Sequence, residues 1–169
     1  EEMLFPFVQI MKNNPVGVLM SHARTSIVDK DVPACLSTKW VDEILRGTYD
    51  YEGIVFSDDV FMGALASNGF PPETAAVKAI EAGINCIMIS EKRISGPAKV
   101  LIEKAENDRN FAKLIDDSFR KIVEYKMKSG FFDFYLNSNG DFVLVEKNPV
   151  LDYNIIRMEK CKPRSAIKC

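Results

Sequence analysis

Three short runs, at residues 16–20, 54–56 and 84–89, are apolar without alternation. Runs of this kind suit parallel strands covered on both faces. Between them the apolar positions fall at helical spacing. Residues 3–12 predict a helix with Leu4, Phe7, Val8, Ile10 and Met11 on one side; Pro6 sits in its first turn, and Asn13-Asn14-Pro15 stops it. Ser37 predicts the N-cap of a second helix through Arg46, with Trp40, Val41, Ile44 and Leu45 on the buried face and Gly47 as its stop. A helical turn at 62–66, a helix over 73–82 ending at Gly83, and two helices near 97–107 and 110–128 follow. In the last of these, Phe111, Leu114, Ile115, Phe119, Ile122 and Val123 form the expected packing face. Alternation of strand and helix argues for an α/β fold built from βαβ units with right-handed crossovers.

From Phe131 the character changes. Asn137-Ser138-Asn139-Gly140 separates two short apolar runs, which predicts a small hairpin. A basic tail follows, with Arg157, Lys160, Lys162, Arg164 and Lys168. It reads as a solvated terminus, with a basic patch for a partner as the alternative.

Each apolar run of the first part ends in polar groups: Ser21-His22, Ser57-Asp58-Asp59 and Ser90-Glu91. The carboxyl end of a strand is where chemistry sits in a barrel of parallel strands and helices. An acid there is a candidate catalytic residue; capping the following turn is the alternative. A cation site from Asp58, Asp59 and Glu91 is a further reading, since hard cations prefer clustered oxygens.

Composition narrows the classes. Hydrophobic residues make up 47% and charged residues 27%, which suits an ordinary globular domain. A net charge of −2 provides no field to recruit nucleic acid or an anionic membrane, and no apolar run is long enough to cross a bilayer. The four cysteines, at 35, 86, 161 and 169, form no CxxC pair, so a zinc site is not expected. Cys86 reads as a buried thiol, Cys35 as a loop residue, and the pattern suits a reducing, cytoplasmic compartment; a Cys161–Cys169 bridge is the alternative. Neither a Gly-x-Gly-x-x-Gly fingerprint nor a Walker-type loop occurs, so no cofactor is implied.

Five stretches together resemble the family 3 glycoside hydrolases, specifically their β-N-acetylhexosaminidase branch. Val18-Leu19-Met20-Ser21-His22 is similar to the family's strand ending in Met-x-x-His. Val32-Pro33-Ala34-Cys35-Leu36-Ser37-Thr38-Lys39-Trp40 is similar to its Leu-Pro-Ala-x-Leu-Ser-x-x-Trp segment. Residues 51–62, containing Ser57-Asp58-Asp59, look like its nucleophile strand, 79–89 like its last barrel strand, and 117–122, with Lys126 and Gly130 beyond, like its closing helix. The resemblance runs from about residue 2 to 131.

What the resemblance implies is specific. The fold is the C-terminal portion of a (β/α)8 TIM barrel, about the last three strands and their helices, over residues 1–131. Residues 132–169 form a C-terminal extension, a hairpin and then the basic tail. The activity is removal of terminal N-acetylglucosamine from glycans or muropeptide fragments with retention of configuration. Asp58 is the nucleophile. Asp59 caps the next turn or binds backbone amides and is not catalytic. His22, the only histidine, is a substrate-binding residue by a contact to a sugar hydroxyl, or an imidazole bonded to a backbone carbonyl. Met62 is a substrate-binding residue on the pocket wall, or plain packing. Arg24 reads as a surface residue and Trp40 as core.

The branch's general acid/base, a histidine assisted by an aspartate on a loop after Lys-His-Phe-Pro-Gly, has no match. It would precede residue 1. The expectation is therefore a truncated hydrolase, inactive alone, whose partners are a carbohydrate substrate and a complementary N-terminal barrel half, with no nucleic acid and no membrane. The alternative is a non-catalytic remnant or interaction module derived from that fold.

Overall fold

The computed structural model describes residues 4–13, 15–90, 92–130, 132–139 and 142–146. The chain divides into two compact units, Glu1–Lys121 and Ile122–Cys169. The first holds a three-stranded parallel sheet in the order β1 (Gly17–Met20), β2 (Ile54–Asp59), β3 (Cys86–Met88). The helices are α1 (Phe5–Met11), a π-helix (Lys39–Thr48), α2 (Gly63–Ala66), α3 (Pro72–Glu81), α4 (Ser95–Asn107) and α5 (Arg109–Lys128), the last running on into the second unit. The α/β class and the strand–helix alternation are as expected. No described helix is long and apolar enough to cross a membrane.

β2 is the central strand. Val55 and Ser57 have no exposed surface, and Ile54 keeps 6%. Val55 belongs to a core shared with Cys35, Val41, Leu45, Leu65, Ala79 and Ile84. Gly17 permits β1 to lie close, since a Cβ there would stand 2.7 Å from the Phe56 ring.

The pairing of β2 with β3 is irregular. Phe56 pairs with Cys86 and Asp59 with Met88, so three steps on β2 face two on β3. This is a β-bulge at Ser57-Asp58, a device that bends a strand and re-aims a side chain. The Ser57 hydroxyl accepts the Met88 amide at 3.1 Å, and Val60 donates its amide to the Met88 carbonyl at 3.2 Å. Val55 and Val60 both reach the same core although they are an odd number of residues apart, a spacing that an unbroken pleat puts on opposite faces.

The opposite end of the sheet is tied by one amide side chain. Asn85 Oδ1 accepts the Val55 amide and an Arg46 guanidinium N–H, each at 2.9 Å, while Asn85 Nδ2 donates to Ser118 Oγ at 3.1 Å. The Asn85 amide donates to the Val55 carbonyl at 2.8 Å. Arg46 also donates to the carbonyls of Tyr51, at 2.6 Å, and Gly53, at 2.7 Å. Because the Asn85 side chain takes up this step of the ladder, β3 begins at Cys86, shorter than the expected 84–89.

Two expectations are corrected. Gly47 does not end its helix, which winds on to Thr48 and closes with a Tyr49 amide bond to the Ile44 carbonyl at 3.0 Å; the left-handed turn falls instead on Asp50, at φ 51°. On α5, Phe111 is buried and Ser118 is nearly so, but Phe119 is 65% and Leu114 37% exposed. Residues 111 and 118 share one helix face, and 114 and 119 flank it. Other stops behave as read: Gly83, at φ 97°, closes α3 with its amide on the Ile80 carbonyl and the Ile84 amide on the Ala79 carbonyl, each at 3.0 Å.

In the second unit, β4 (Phe132–Leu136) and β5 (Phe142–Glu146) pair antiparallel with Leu136 opposite Phe142, the expected hairpin. The basic tail and the Cys161–Cys169 alternative lie outside the described residues.

Asn85→Ala leaves the Val55 amide buried without its acceptor, so it should cost about 1–3 kcal/mol. The urea midpoint should fall while the m-value holds, which a chemical denaturation series checks.

Candidate functional site

The carboxyl ends of the three strands converge on four side chains: Asp58, Asp59, His22 and Ser90. Asp58 and Asp59 close β2, and His22 and Ser90 lie just past β1 and β3.

Asp59 is the engaged carboxylate. Its Oδ1 accepts the amides of Phe61, at 3.1 Å, and Ser90, at 3.2 Å; its Oδ2 accepts the Ser90 hydroxyl. Loss of water around it disfavours its charge. That cost is outweighed by hydrogen bonds from the Ser90 hydroxyl and from the Phe61 and Ser90 amides, with a smaller electrostatic effect of the nearby His22 ring in the same direction, so its carboxyl is held below the usual range. Asp59 binds backbone amides and joins the end of β2 to the residue after β3, the task expected of it.

Asp58 is the less committed one. Its Oδ1 accepts the amide of Asp59 at 2.8 Å. Among the described residues no other donor binds its carboxylate, and the side chain is half-buried. The bulge at Ser57-Asp58 is what separates the two adjacent acids: one is consumed by the fold, the other is left with free lone pairs at the strand end.

His22 is half-buried, with both ring nitrogens engaged. Nε2 lies 2.9 Å from the Asp59 carbonyl, and Nδ1 lies 3.1 Å from Cys35 Sγ. The Nε2 contact is a bond to a backbone carbonyl. Met62 begins the turn into α2 and is 44% exposed. Arg24 is exposed, as expected, and Trp40 is half-buried. Glu91, third member of the alternative cation cluster, lies outside the described residues.

Cys35 and Ser90 also belong to this cluster, beyond the residues that the sequence points to. Ser90 had a signal, since every apolar run ends in a hydroxyl-bearing residue. Cys35 had none: it sits in an apolar stretch, and only the path of the loop brings it to His22. Cys35 has no exposed surface. Its amide donates to the Ser21 carbonyl at 3.0 Å, and that of Ala34 to the Ala23 carbonyl at 2.9 Å, so the short 3-10 turn Ala34–Leu36 is pinned beside the end of β1. Burial, and then the negative charge of Asp58, push the Cys35 thiol up to about 12. It is a neutral S–H across the physiological range.

A groove of about 600 Å³ lies on the other flank of β1, lined by Leu4, Phe7 and Met11 of the α1 segment, Leu19 of β1, and Trp40 and Ile44 of the π-helix. Two buried polar atoms without a partner among the described residues, Thr25 Oγ1 and Trp40 Nε1, belong to residues that line it.

A family model described as the glycosyl hydrolase family 3 N terminal domain matches residues 1–125. A beta-hexosaminidase of Alkalilimnicola ehrlichii is 36% identical over 95 residues, 56% of this chain and 27% of that protein. A beta-hexosaminidase of Xanthomonas oryzae pv. oryzae is 40% identical over 68 residues, 40% of this chain and 20% of that protein. Among solved structures, a beta-N-acetylhexosaminidase from Beutenbergia cavernae superposes with a TM-score of 0.68 at 29% identity, covering 73% of this chain and 37% of that one. A family 3 beta-N-acetylglucosaminidase from Paenibacillus superposes with a TM-score of 0.69 at 26% identity, covering 74% and 24%. The chain thus spans about a quarter of the length of the curated relatives it matches, 27% and 28% for two of them.

Two outcomes follow from the ionisation states. Asp59, with a lowered folded value, contributes stability that is present above about pH 4, the unfolded value, and is lost as pH falls through its folded value. Asp59→Asn should flatten that acid limb in a pH series of thermal melts. The Cys35 thiol should resist iodoacetamide at about pH 8 in the folded chain and react on unfolding, as read by peptide mass mapping.

Proposed function

Since the chain belongs to glycosyl hydrolase family 3, we propose that it carries the nucleophile-bearing part of a β-N-acetylhexosaminidase site, with Asp58 as the nucleophile. The observation that supports this most is the division of labour between neighbouring acids. Asp59 is saturated by donors from its own fold, and Asp58, on the central parallel strand, is not.

The chemistry suits that placement. An ionised Asp58 oxygen attacks the anomeric carbon of a terminal N-acetylglucosamine. The new C–O ester bond forms as the glycosidic C–O bond breaks, and the leaving oxygen takes a proton from a general acid. Water, deprotonated by the same group, then attacks the anomeric carbon, and Asp58 leaves as carboxylate. Two inversions give net retention. The strand end holds the attacking oxygen rigidly. Met62 serves as apolar pocket wall.

In this reading the general acid/base comes from a complementary polypeptide that completes a (β/α)8 barrel. Support comes from the outer flank of β1, which has no strand beside it among the described residues, and from the apolar groove there with its two unsatisfied polar atoms. A neighbouring strand and its helix would pair the edge and cover the groove.

Mixed with a polypeptide carrying the complementary N-terminal barrel half, the chain should hydrolyse an aryl N-acetylglucosaminide. Without it the rate should be lower by at least about 10²–10⁴, the usual worth of general acid/base help. Asp58→Asn should bring the assembled activity to background. Full activity in that variant removes the assignment.

A further inference from the structure

Cys35, His22 and the Asp59 carbonyl form a group that the proposed chemistry does not use. Its proton order follows from its donors and acceptors. A carbonyl oxygen only accepts, so the bond at 2.9 Å requires a proton on His22 Nε2. In a neutral imidazole Nδ1 is then an acceptor. The proton in the 3.1 Å contact with Cys35 is therefore the thiol's. The chain runs Sγ–H to Nδ1, then Nε2–H to the carbonyl of Asp59. Its outer end is anchored, since Cys35 is fully buried and its amide is bonded to Ser21 at 3.0 Å.

The other end of this chain meets the bulge. Asp59 directly follows Asp58, and among the described residues its amide is the one donor on the Asp58 carboxylate. On the β3 side Asp59 is held through its carboxylate by Ser90, and on the β1 side through its carbonyl by His22, while the Phe61 amide in the turn that leaves β2 also donates to its carboxylate. A bulged residue lacks the regular ladder that fixes its neighbours, so side-chain bonds from both flanks replace it.

We propose that Cys35 and His22 act as a neutral thiol–imidazole clamp that positions Asp58, holding the Asp59 peptide from the β1 side so that the bulge aims the Asp58 carboxylate at the strand mouth. His22 is then a positioning residue and neither the general acid/base nor a primary sugar contact. The functional half of this proposal rests on the reading of Asp58 as nucleophile; the geometric half does not.

Two measurements test it. The full chain has a single histidine, so ring-¹⁵N-labelled histidine yields one imidazole spin system. At about pH 8, where an ordinary imidazole is neutral, the proton should sit on Nε2 with Nδ1 as acceptor. Cys35→Ala should shift the Nδ1 resonance. An Nδ1–H tautomer, or fast averaging of the two, overturns the clamp, whether or not Asp58 is the nucleophile. The second measurement uses the chain assembled with its complementary half. His22→Phe removes the donor to Asp59, while His22→Gln retains an amide N–H at a similar reach. His22→Phe should lower kcat about 10²-fold with KM nearly unchanged, the scale of a small misplacement of the reacting group, and His22→Gln should recover most of it. A rise in KM alone makes His22 a sugar contact and overturns the proposal, as does unchanged kcat. Full activity in Asp58→Asn removes the nucleophile reading instead, and the tautomer still decides the clamp.

Discussion

A parallel strand buried on both faces can carry charge only at its ends. β2 meets that constraint with two acids in succession, and the rest of the site follows from accommodating them. Two adjacent carboxylates on a regular pleat point to opposite faces, and one of them would be driven toward the helix layer. The bulge at Ser57-Asp58 relieves this. Side chains bridge it on both flanks: the Ser57 hydroxyl accepts the Met88 amide, the Asp59 carboxylate accepts the Ser90 amide, and the His22 imidazole bonds the Asp59 carbonyl.

The two ends of the sheet are built differently. At the amino end, Asn85 and Arg46 hold the backbone through several bonds to carbonyls and an amide, a network in which each member satisfies another. At the carboxyl end the bonds are made by hydroxyl, thiol, imidazole and carboxylate, and one acid is left over. In parallel sheets, open or closed, chemistry is carried at the carboxyl ends of the strands, the end at which this sheet leaves its acid.

The sheet and its helices were legible because the apolar runs are short and unbroken and the helical stretches have clear stops. Gly83 is a local signal, and it holds, while α3 begins at Pro72, one position before the expected 73. Where the reading failed, a tertiary contact decided. Gly47 resembles a stop, but the backbone there is drawn on through a wider winding to bring Arg46 onto Tyr51 and Gly53. Phe119 resembles core, but α5 rests on the face of Phe111 and Ser118. At the site, the acids were visible as the abrupt end of an apolar run. The bulge was not, because it depends on the register between β2 and β3, and no periodicity along one strand encodes it. Cys35 was hidden for the same reason: its partner stands thirteen positions away across a loop.

Among the described residues no strand pairs with the outer flank of β1, and this has a thermodynamic consequence. A polypeptide that adds a strand there recognises the native sheet and not the unfolded chain. Its free concentration therefore enters the folding equilibrium by mass action, raising the midpoint of unfolding as it rises. With such a polypeptide present, stability would be a property of the mixture as much as of the sequence.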